Sequence, residues 1–570
     1  MSSSRRQRYS QSYSPFTSLS EDIRAVVAID FGTTYSGFAY AHRSSPKEIE
    51  INARWPGKEG TPKTNTVLVY NSTCSEVLKW GGPALLYEPR RSSRNNIREL
   101  GSPRSPRPQH YVAERFKLFL DDNASDNLYL PPNLDYRKAI SDYLNKMKRV
   151  IEETLDKRWP GLKLSQVLLI LCVPAEWGPH AKDTMRDCAY KAGLLDESIA
   201  SHLEFTTEHT FLVVDCGGGT VDLTMRTIQT GNKLEEETIR TGDLCGSTYV
   251  DQEFLHFLGR IVGFTALQRL RSYAYGDLQR LILEFFCKDV KNDFDGDPDE
   301  FETIELNLDR DCPSLVDYIT GAERTNLERN EWIIELEFET VKKMFDPVIE
   351  KIIKLIHNQL LDLANLATNR HCKAMFLVGG FSESPYLIKR VRERFQDRVP
   401  IIAVPNQPIA AIVKGAVKYG LDMSLVESRV LKWTYGVEVK EDFNNHHDPP
   451  RLRTNDNKIW KFDTLARRGE RVAVNQAFSK EYKPLNADQK VAVLRVFITK
   501  EVRPKYIRDV GMRELGTLKI PLSRTLSLGR NRPVVFELRF GMMEIKATAK
   551  NKVTHETFQE NFELDVKGQK

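Results

Sequence analysis

Two segments place an aspartate at the end of an apolar run and follow it at once with glycine and threonine: IDFGTTYSG at 29–37 and VVDCGGGTVD at 213–222. This is a pattern for holding a nucleoside triphosphate. Glycines let backbone N–H groups approach phosphate oxygens without a Cβ in the way, and threonine hydroxyls add donors. A carboxylate repels phosphate, so Asp30, Asp215 and Asp222 would act through Mg2+ and its water shell. A third segment, FLVGGFSESPYLIKRV at 376–391, supplies a run fit for a strand, a Gly379–Gly380 turn and a helix start where an adenosine could lie against backbone. One Gly-rich turn is weak evidence; three such segments in this order and spacing form a specific pattern.

The elements that must position these residues follow from periodicity. The stretch 23–42 is apolar, then Gly/Thr-rich, then apolar again, which predicts two strands and a tight turn; 210–228 repeats it, so an internally duplicated α/β domain is expected. Between them, Ile140, Leu144, Met147, Ile151 and Leu155 step by three and four, predicting a long helix over 134–155. Residues 166–173 read as a buried strand and 179–192 as a helix stopped by Gly193. The longest helical pattern covers 338–366, followed by strand 374–378, helix 385–395, strand 401–404 and helix 408–419. Such alternation argues for a sheet flanked by helices. Beyond about Met423 the runs become short, β-branched and partly alternating, as in KVAVLRVFITK and RPVVFELRF, which predicts an all-β domain.

The bulk numbers exclude several classes. At 570 residues the chain exceeds what one core usually serves. With 41% hydrophobic and 28% charged residues it has the composition of a globular protein, and no apolar stretch is long enough for a membrane helix. A net charge of +5 against 83 basic and 78 acidic side chains gives no global field for nucleic acid. Eight scattered cysteines without a CxxC pair read as reduced thiols rather than disulfides or a zinc site, which favours the cytoplasm, with the nucleus as the alternative. Residues 1–22 read as a disordered tail. Residues 88–110, with six arginines, four prolines and four serines, read as a disordered basic insertion; a tether with phosphosites at Ser102 and Ser105 is the sharper alternative.

These three motifs resemble the phosphate-1, phosphate-2 and adenosine motifs of the actin-like ATPase superfamily, and IDFGTTYSG and VVDCGGGTVD are most similar to the 70-kDa heat-shock proteins. The similarity runs over 24–421 and continues, weaker, through FDTLARRGERV, VFITKE, LGTLKIPL and FGMMEIKATAKNKVTHE, which resemble strands of that family's substrate-binding β-sandwich. The resemblance implies a duplicated, actin-like (ribonuclease H-like) two-lobed ATPase domain over 23–422 and a C-terminal β-sandwich over 423–570 without the helical lid. It implies that Asp30, Gly32, Thr33, Thr34 and Tyr35 form the first phosphate loop, that Gly217, Gly218, Gly219 and Thr220 form the second, and that Asp30, Asp215 and Asp222 face the metal. Lys117, in ERFKLFL, matches the family's catalytic lysine, with a solvated helix lysine as the alternative; Asp215 and Thr220 join it in the catalytic set. Gly246 resembles the family's Gly-Gly-Glu turn, Lys291 an adenosine-contacting lysine, and Gly379 and Gly380 the adenosine motif.

The chain departs from the family in three places. Glu383 replaces an adenine-stacking arginine, and a carboxylate cannot stack as a guanidinium does. Only TTEHT, 206–210, stands where the family has a catalytic glutamate and a helix; Glu208 holds the glutamate's place, but five residues cannot supply a crossover helix. SLVESRVLKW at 424–433 stands in place of an acidic, leucine-rich linker, and the chain stops at Lys570, just after the last β run. The leading expectation is therefore a monomeric, ATP-binding, weakly hydrolysing chaperone-like protein that binds unfolded or extended polypeptide through its β domain, with co-chaperones as further partners and neither nucleic acid nor membrane. The alternatives are a nucleotide-gated, non-catalytic scaffold and a sugar-kinase-like phosphotransferase.

Overall fold

The computed structural model describes residues 22–85, 87, 110–120, 129–174, 177, 179–194, 210–229, 233–366, 370–422, 426–474, 476–540 and 545–561. It is a mixed α/β structure with several sheets. The run AVVAIDF forms the strand Ala25–Phe31, almost wholly buried because both of its faces are covered, Val26 and Ala28 falling in one core cluster and Ala25, Val27 and Ile29 in another. It lies antiparallel to Tyr35–His42 and parallel to Val167–Cys172, so that Asp30, near the strand's end, stands opposite Gly37 on one side and Cys172 on the other. Glu50–Ile51 and Thr64–Asn65 complete this five-stranded sheet.

The second Gly-rich hairpin repeats the plan. Thr210–Cys216 lies antiparallel to Val221–Ile228 and parallel to Ala374–Val378, which places Asp215 directly opposite Asp222 and beside Val378. The two aspartates thus project from the same face of one hairpin. This sheet has eight strands, reaching from Ile401–Ala403 at one edge to Val426–Val430 and Arg471–Ala473 at the other. Part of the segment at the linker position is therefore a strand, paired parallel with Leu234–Glu236.

Helix Pro408–Leu421 packs on Ala25–Phe31, Tyr35–His42 and Val167–Cys172 of one sheet and on Ala374–Val378 of the other. Its Ala410, Val413 and Val417 are buried against Val26, Ala28 and Leu168. The contact is close: a Cβ on Gly420 would lie 2.5 Å from Ile170 Cδ1. The helix predicted over 134–155 spans Tyr136–Arg158, capped by the Asp135 side chain accepting from the Arg137 N–H, and buries the stripe that its spacing indicated. The longest helix among the described residues is Phe338–Ala364. Leu281–Lys291 is a π-helix, which no sequence periodicity announced.

Beyond residue 433 the chain forms two four-stranded antiparallel sheets. One contains Lys458–Ala466, Thr434–Asp442, Val491–Thr499 and Arg513–Pro521, the other Gln476–Tyr482, Val534–Phe540, Ile545–Asn551 and Thr557–Asn561. Val437, Val496, Leu518 and Ile520 of the first share one core with Phe536, Leu538, Ala547 and Ala549 of the second. The tail 1–21, most of the 88–110 insertion and Glu208 lie outside the described residues. No described helix is long and apolar enough to cross a membrane, and all eight cysteines are free thiols.

Candidate functional site

The two Gly-rich turns meet face to face. A Cβ on Gly218 would press into the Thr34 hydroxyl, and one on Gly219 would lie 2.6 Å from Thr33 Oγ1, so glycine is what allows the turns this close. Gly217 N–H donates to Thr220 O at 3.0 Å and closes the second turn. Gly246 stacks on the back of that turn: its N–H donates to Gly219 O at 3.2 Å, and those of Ser247 and Thr248 to Gly217 O and Gly218 O at 3.1 and 2.9 Å. A Cβ on Gly246 would sit 2.5 Å from Gly218 O.

The turns open on a cleft of about 790 Å³. Asp30, Gly32, Thr33, Thr34, Tyr35, Lys117, Asp215, Gly217, Gly218, Gly219, Thr220, Asp222, Lys291, Gly379, Gly380 and Glu383 all line it, a grouping drawn from segments more than three hundred residues apart. Gly379 has φ +83°, and a Cβ there would lie 2.5 Å from Asp215 Oδ1. Gly246 stands behind the lining, and Glu208 is outside the described residues.

Lys117 is not a solvated helix lysine. It lies in the short 3-10 segment Phe116–Leu120, 7% exposed, with Nζ donating to Phe31 O at 2.5 Å and resting over the Phe31 and Trp177 rings at 5.6 and 5.1 Å. Burial pulls its pKa down, against the attraction of Asp30 and Asp222. Asp215 is pushed up to about 7, first by burial and then by repulsion from Asp30 and Asp222. Across the cleft, Lys291 on the π-helix bonds Asp251 Oδ1 at 2.5 Å and Ser247 O at 2.8 Å. Glu383 closes the 3-10 turn Gly380–Glu383 at the exposed rim, and the next residue, Ser384, caps helix Pro385–Phe395.

Sequence reasoning missed Lys63. Its Nζ lies 2.5 Å from Asp30 Oδ2; burial pulls its pKa down, but the charge and hydrogen bond of Asp30, joined by Asp215, hold it above the ordinary lysine value. It sits in a polar stretch, GTPKTN, with neither motif nor periodicity to mark it. Asp251 and Cys287, which also line the cleft, escaped because they sit within helical runs, Thr248–Val262 and Leu281–Lys291, with no motif to mark them. Among the described residues no group of three or more His, Cys, Asp or Glu side chains converges to hold a metal ion. With Asp30 engaged by an ammonium group as well, the donor set does not fit a directly ligated cation.

A family described as a domain of unknown function (DUF8340) matches residues 206–404. The chain is 26% identical to heat shock 70 kDa protein 12A of Mus musculus over 92% of its own length and 89% of that protein. It is 25% identical to heat shock 70 kDa protein 12B of Homo sapiens, covering 92% of this chain and 88% of that one. Against the chaperone protein DnaK of Thermosipho africanus the identity is 25%, over 73% of this chain and 63% of the other.

Proposed function

We propose that this chain, a divergent 70-kDa heat-shock-like protein, binds ATP between the two sheets of its α/β part and works as a chaperone-like protein. The observation that carries this reading is the apposition of two Gly/Thr turns, each on a strand ending near an aspartate, at the mouth of one cleft. The relatives imply an actin-like ATPase fold, and the repeated hairpin with its parallel neighbour suits the duplicated halves of such a fold. Residues 23–422 then make a two-lobed nucleotide-binding domain, and 423–570 a β-sandwich domain for extended polypeptide, taken up by strand addition.

The division of labour follows from the geometry. Backbone N–H groups of 32–35 and 218–220 receive phosphate oxygens, with the Thr33, Thr34 and Thr220 hydroxyls beside them. Lys117, fixed by Phe31 O and walled by two rings, keeps a cation at the reacting end, where charge develops during phosphoryl transfer. Asp215 stands beside it to orient the attacking water. Gly379 and Gly380 bring backbone against the nucleoside, with Lys291 and Glu383, which line the same cleft, as its further contacts.

Calorimetry with ATP tests binding, and a turnover assay with and without a denatured client tests coupling. Lys117→Met is expected to lower turnover about a hundredfold or more while ATP still binds. Absence of ATP binding would leave a scaffold not gated by nucleotide, and phosphate transfer to a sugar would overturn the chaperone reading.

A further inference from the structure

We propose that Lys63 is a resident countercation of the phosphate site, so that ATP binds this protein with little dependence on Mg2+. The inference rests on the nucleotide reading above and concerns how the same cleft neutralises a polyphosphate.

The arrangement is built from several sides. Lys63 reaches Asp30 by crossing the neighbouring strand at Gly37, the residue paired opposite Asp30. Gly37 is what leaves room: a Cβ there would lie 2.9 Å from Lys63 Cγ and 2.6 Å from Pro62 O. The segment carrying the lysine is pinned, with the Trp55 indole N–H donating to Thr61 O at 2.9 Å and Thr61 Oγ1 donating to Lys63 O at 3.1 Å. Immediately after it, Ser36 and Tyr35 pair with Thr64 and Asn65. The ammonium therefore arrives on a fixed backbone, 2.5 Å from its carboxylate, with the side chain 12% exposed. It does not swing in from solvent.

Charge explains what this does. Around Asp215, itself pushed up to about 7 and so only partly charged near neutral pH, stand the carboxylates Asp30 and Asp222 and the ammonium groups Lys63 and Lys117. Without Lys63 these carboxylates would outnumber the one remaining ammonium group, and a polyanion would depend on a divalent metal to enter. With Lys63 in place, Asp30, the carboxylate on the first phosphate turn, is already neutralised. The same pairing withdraws Asp30 Oδ2 from a metal or its water shell.

The test is calorimetric titration of the full chain with ATP, in Mg2+ and in EDTA, for the wild type, Lys63→Met, Lys63→Arg and the double variant Asp30→Asn/Lys63→Met, with the melting temperature of each recorded. The wild-type affinities in the two buffers are expected to agree within about tenfold, and Lys63→Met to widen the gap to roughly a hundredfold or more, the scale of one unit charge removed from a partly buried site. Lys63→Arg keeps the charge and should keep the narrow gap, which leaves the idea testable should Lys63→Met not fold. The double variant restores the wild-type net charge and should narrow the gap again. Wild-type binding that collapses in EDTA, or a Lys63→Met gap no wider than the wild type's, overturns the inference while leaving nucleotide binding intact. No ATP binding in either buffer overturns the nucleotide reading and this inference with it.

Discussion

Gly218 and Gly246 differ in what a methyl group would strike, and that difference separates function from stability. A Cβ on Gly218 would meet only the Thr34 side chain, which can turn about its Cα–Cβ bond, whereas one on Gly246 would meet Gly218 O at 2.5 Å and Gly219 N at 2.6 Å, atoms of a backbone that cannot turn away. Gly218→Ala is therefore expected to fold with little change in melting temperature and to bind ATP about tenfold more weakly, because the Thr34 hydroxyl is pushed off its place. Gly246→Ala must shift the whole second Gly-rich turn, at a cost of about 2 kcal/mol or more in stability as well as binding. Thermal melts with and without ATP distinguish the two. Equal losses of stability would mean that the turns are not held against each other as described.

Among the larger elements, one arginine holds together turns that strand propensity alone does not fix. Arg532, just before the strand Val534–Phe540, is fully buried, and among the described residues its partners are backbone carbonyls: Gly529 O at 2.5 Å, Ala487 O at 2.7 Å, Gln489 O at 2.8 Å, Leu522 O at 3.2 Å and Asn486 O at 3.3 Å. The planar fork thus ties the turn before Val491–Thr499, in one β sheet, to the approach of a strand in the other. Arg532→Met should lower stability by about 3 kcal/mol, since it leaves these carbonyls without donors, and Arg532→Lys should recover little because a compact ammonium cannot serve so many oxygens. The urea midpoint measures both, and full recovery by lysine would refute the fork argument. Nothing in RNRPVVFELRF marks Arg532 as buried; charge in a polar turn suggests the surface. Its neighbours were legible: Val534–Phe540 and Val491–Thr499 are β-branched runs, and Phe338–Ala364 and Pro385–Phe395 carry an apolar stripe, so local spacing located them closely. Of the candidate site, the Gly-rich turns were readable because an aspartate followed by Gly and Thr in a row is a pattern local to the sequence. Lys63 and Asp251 were not, since each gains its role from a strand or helix remote in sequence, and the π-helix Leu281–Lys291 has no period that a search for 3.6 residues would find.

At the scale of the whole molecule, a buried charged layer joins the cleft to the chain beyond residue 426. Strand Val426–Val430 pairs with Leu234–Glu236 on one side and Arg471–Ala473 on the other. Buried Glu236 accepts from Arg226 at 3.0 Å and from the Val430 N–H at 2.9 Å, and pairs with Arg240 at 3.0 Å, while buried Glu237 pairs with Arg370 and, at 2.8 Å, with Arg471. Arg226 and Arg240 also line the cleft, so one set of guanidinium groups borders both regions. Burial by itself would raise the pKa of Glu236, but Arg240, Arg226 and the Val430 N–H together hold it below its ordinary value of 4.5. A depressed carboxyl contributes stability that is fully present above that ordinary value and is lost as the pH falls through the lower, folded-state value. Glu236→Gln removes this contribution and leaves Arg226 buried beside a neutral amide, at a cost of about 3 to 5 kcal/mol near neutral pH. Calorimetric melts of wild type and variant at descending pH should therefore start far apart and draw together once the pH falls below the ordinary carboxyl value of 4.5, because protonation brings wild-type Glu236 toward the charge the variant already has. High salt should narrow the neutral-pH gap only slightly, since a buried pair is poorly screened. Curves that stay parallel across the whole range would show that Glu236 is not a charged keystone between the cleft and the strand Val426–Val430.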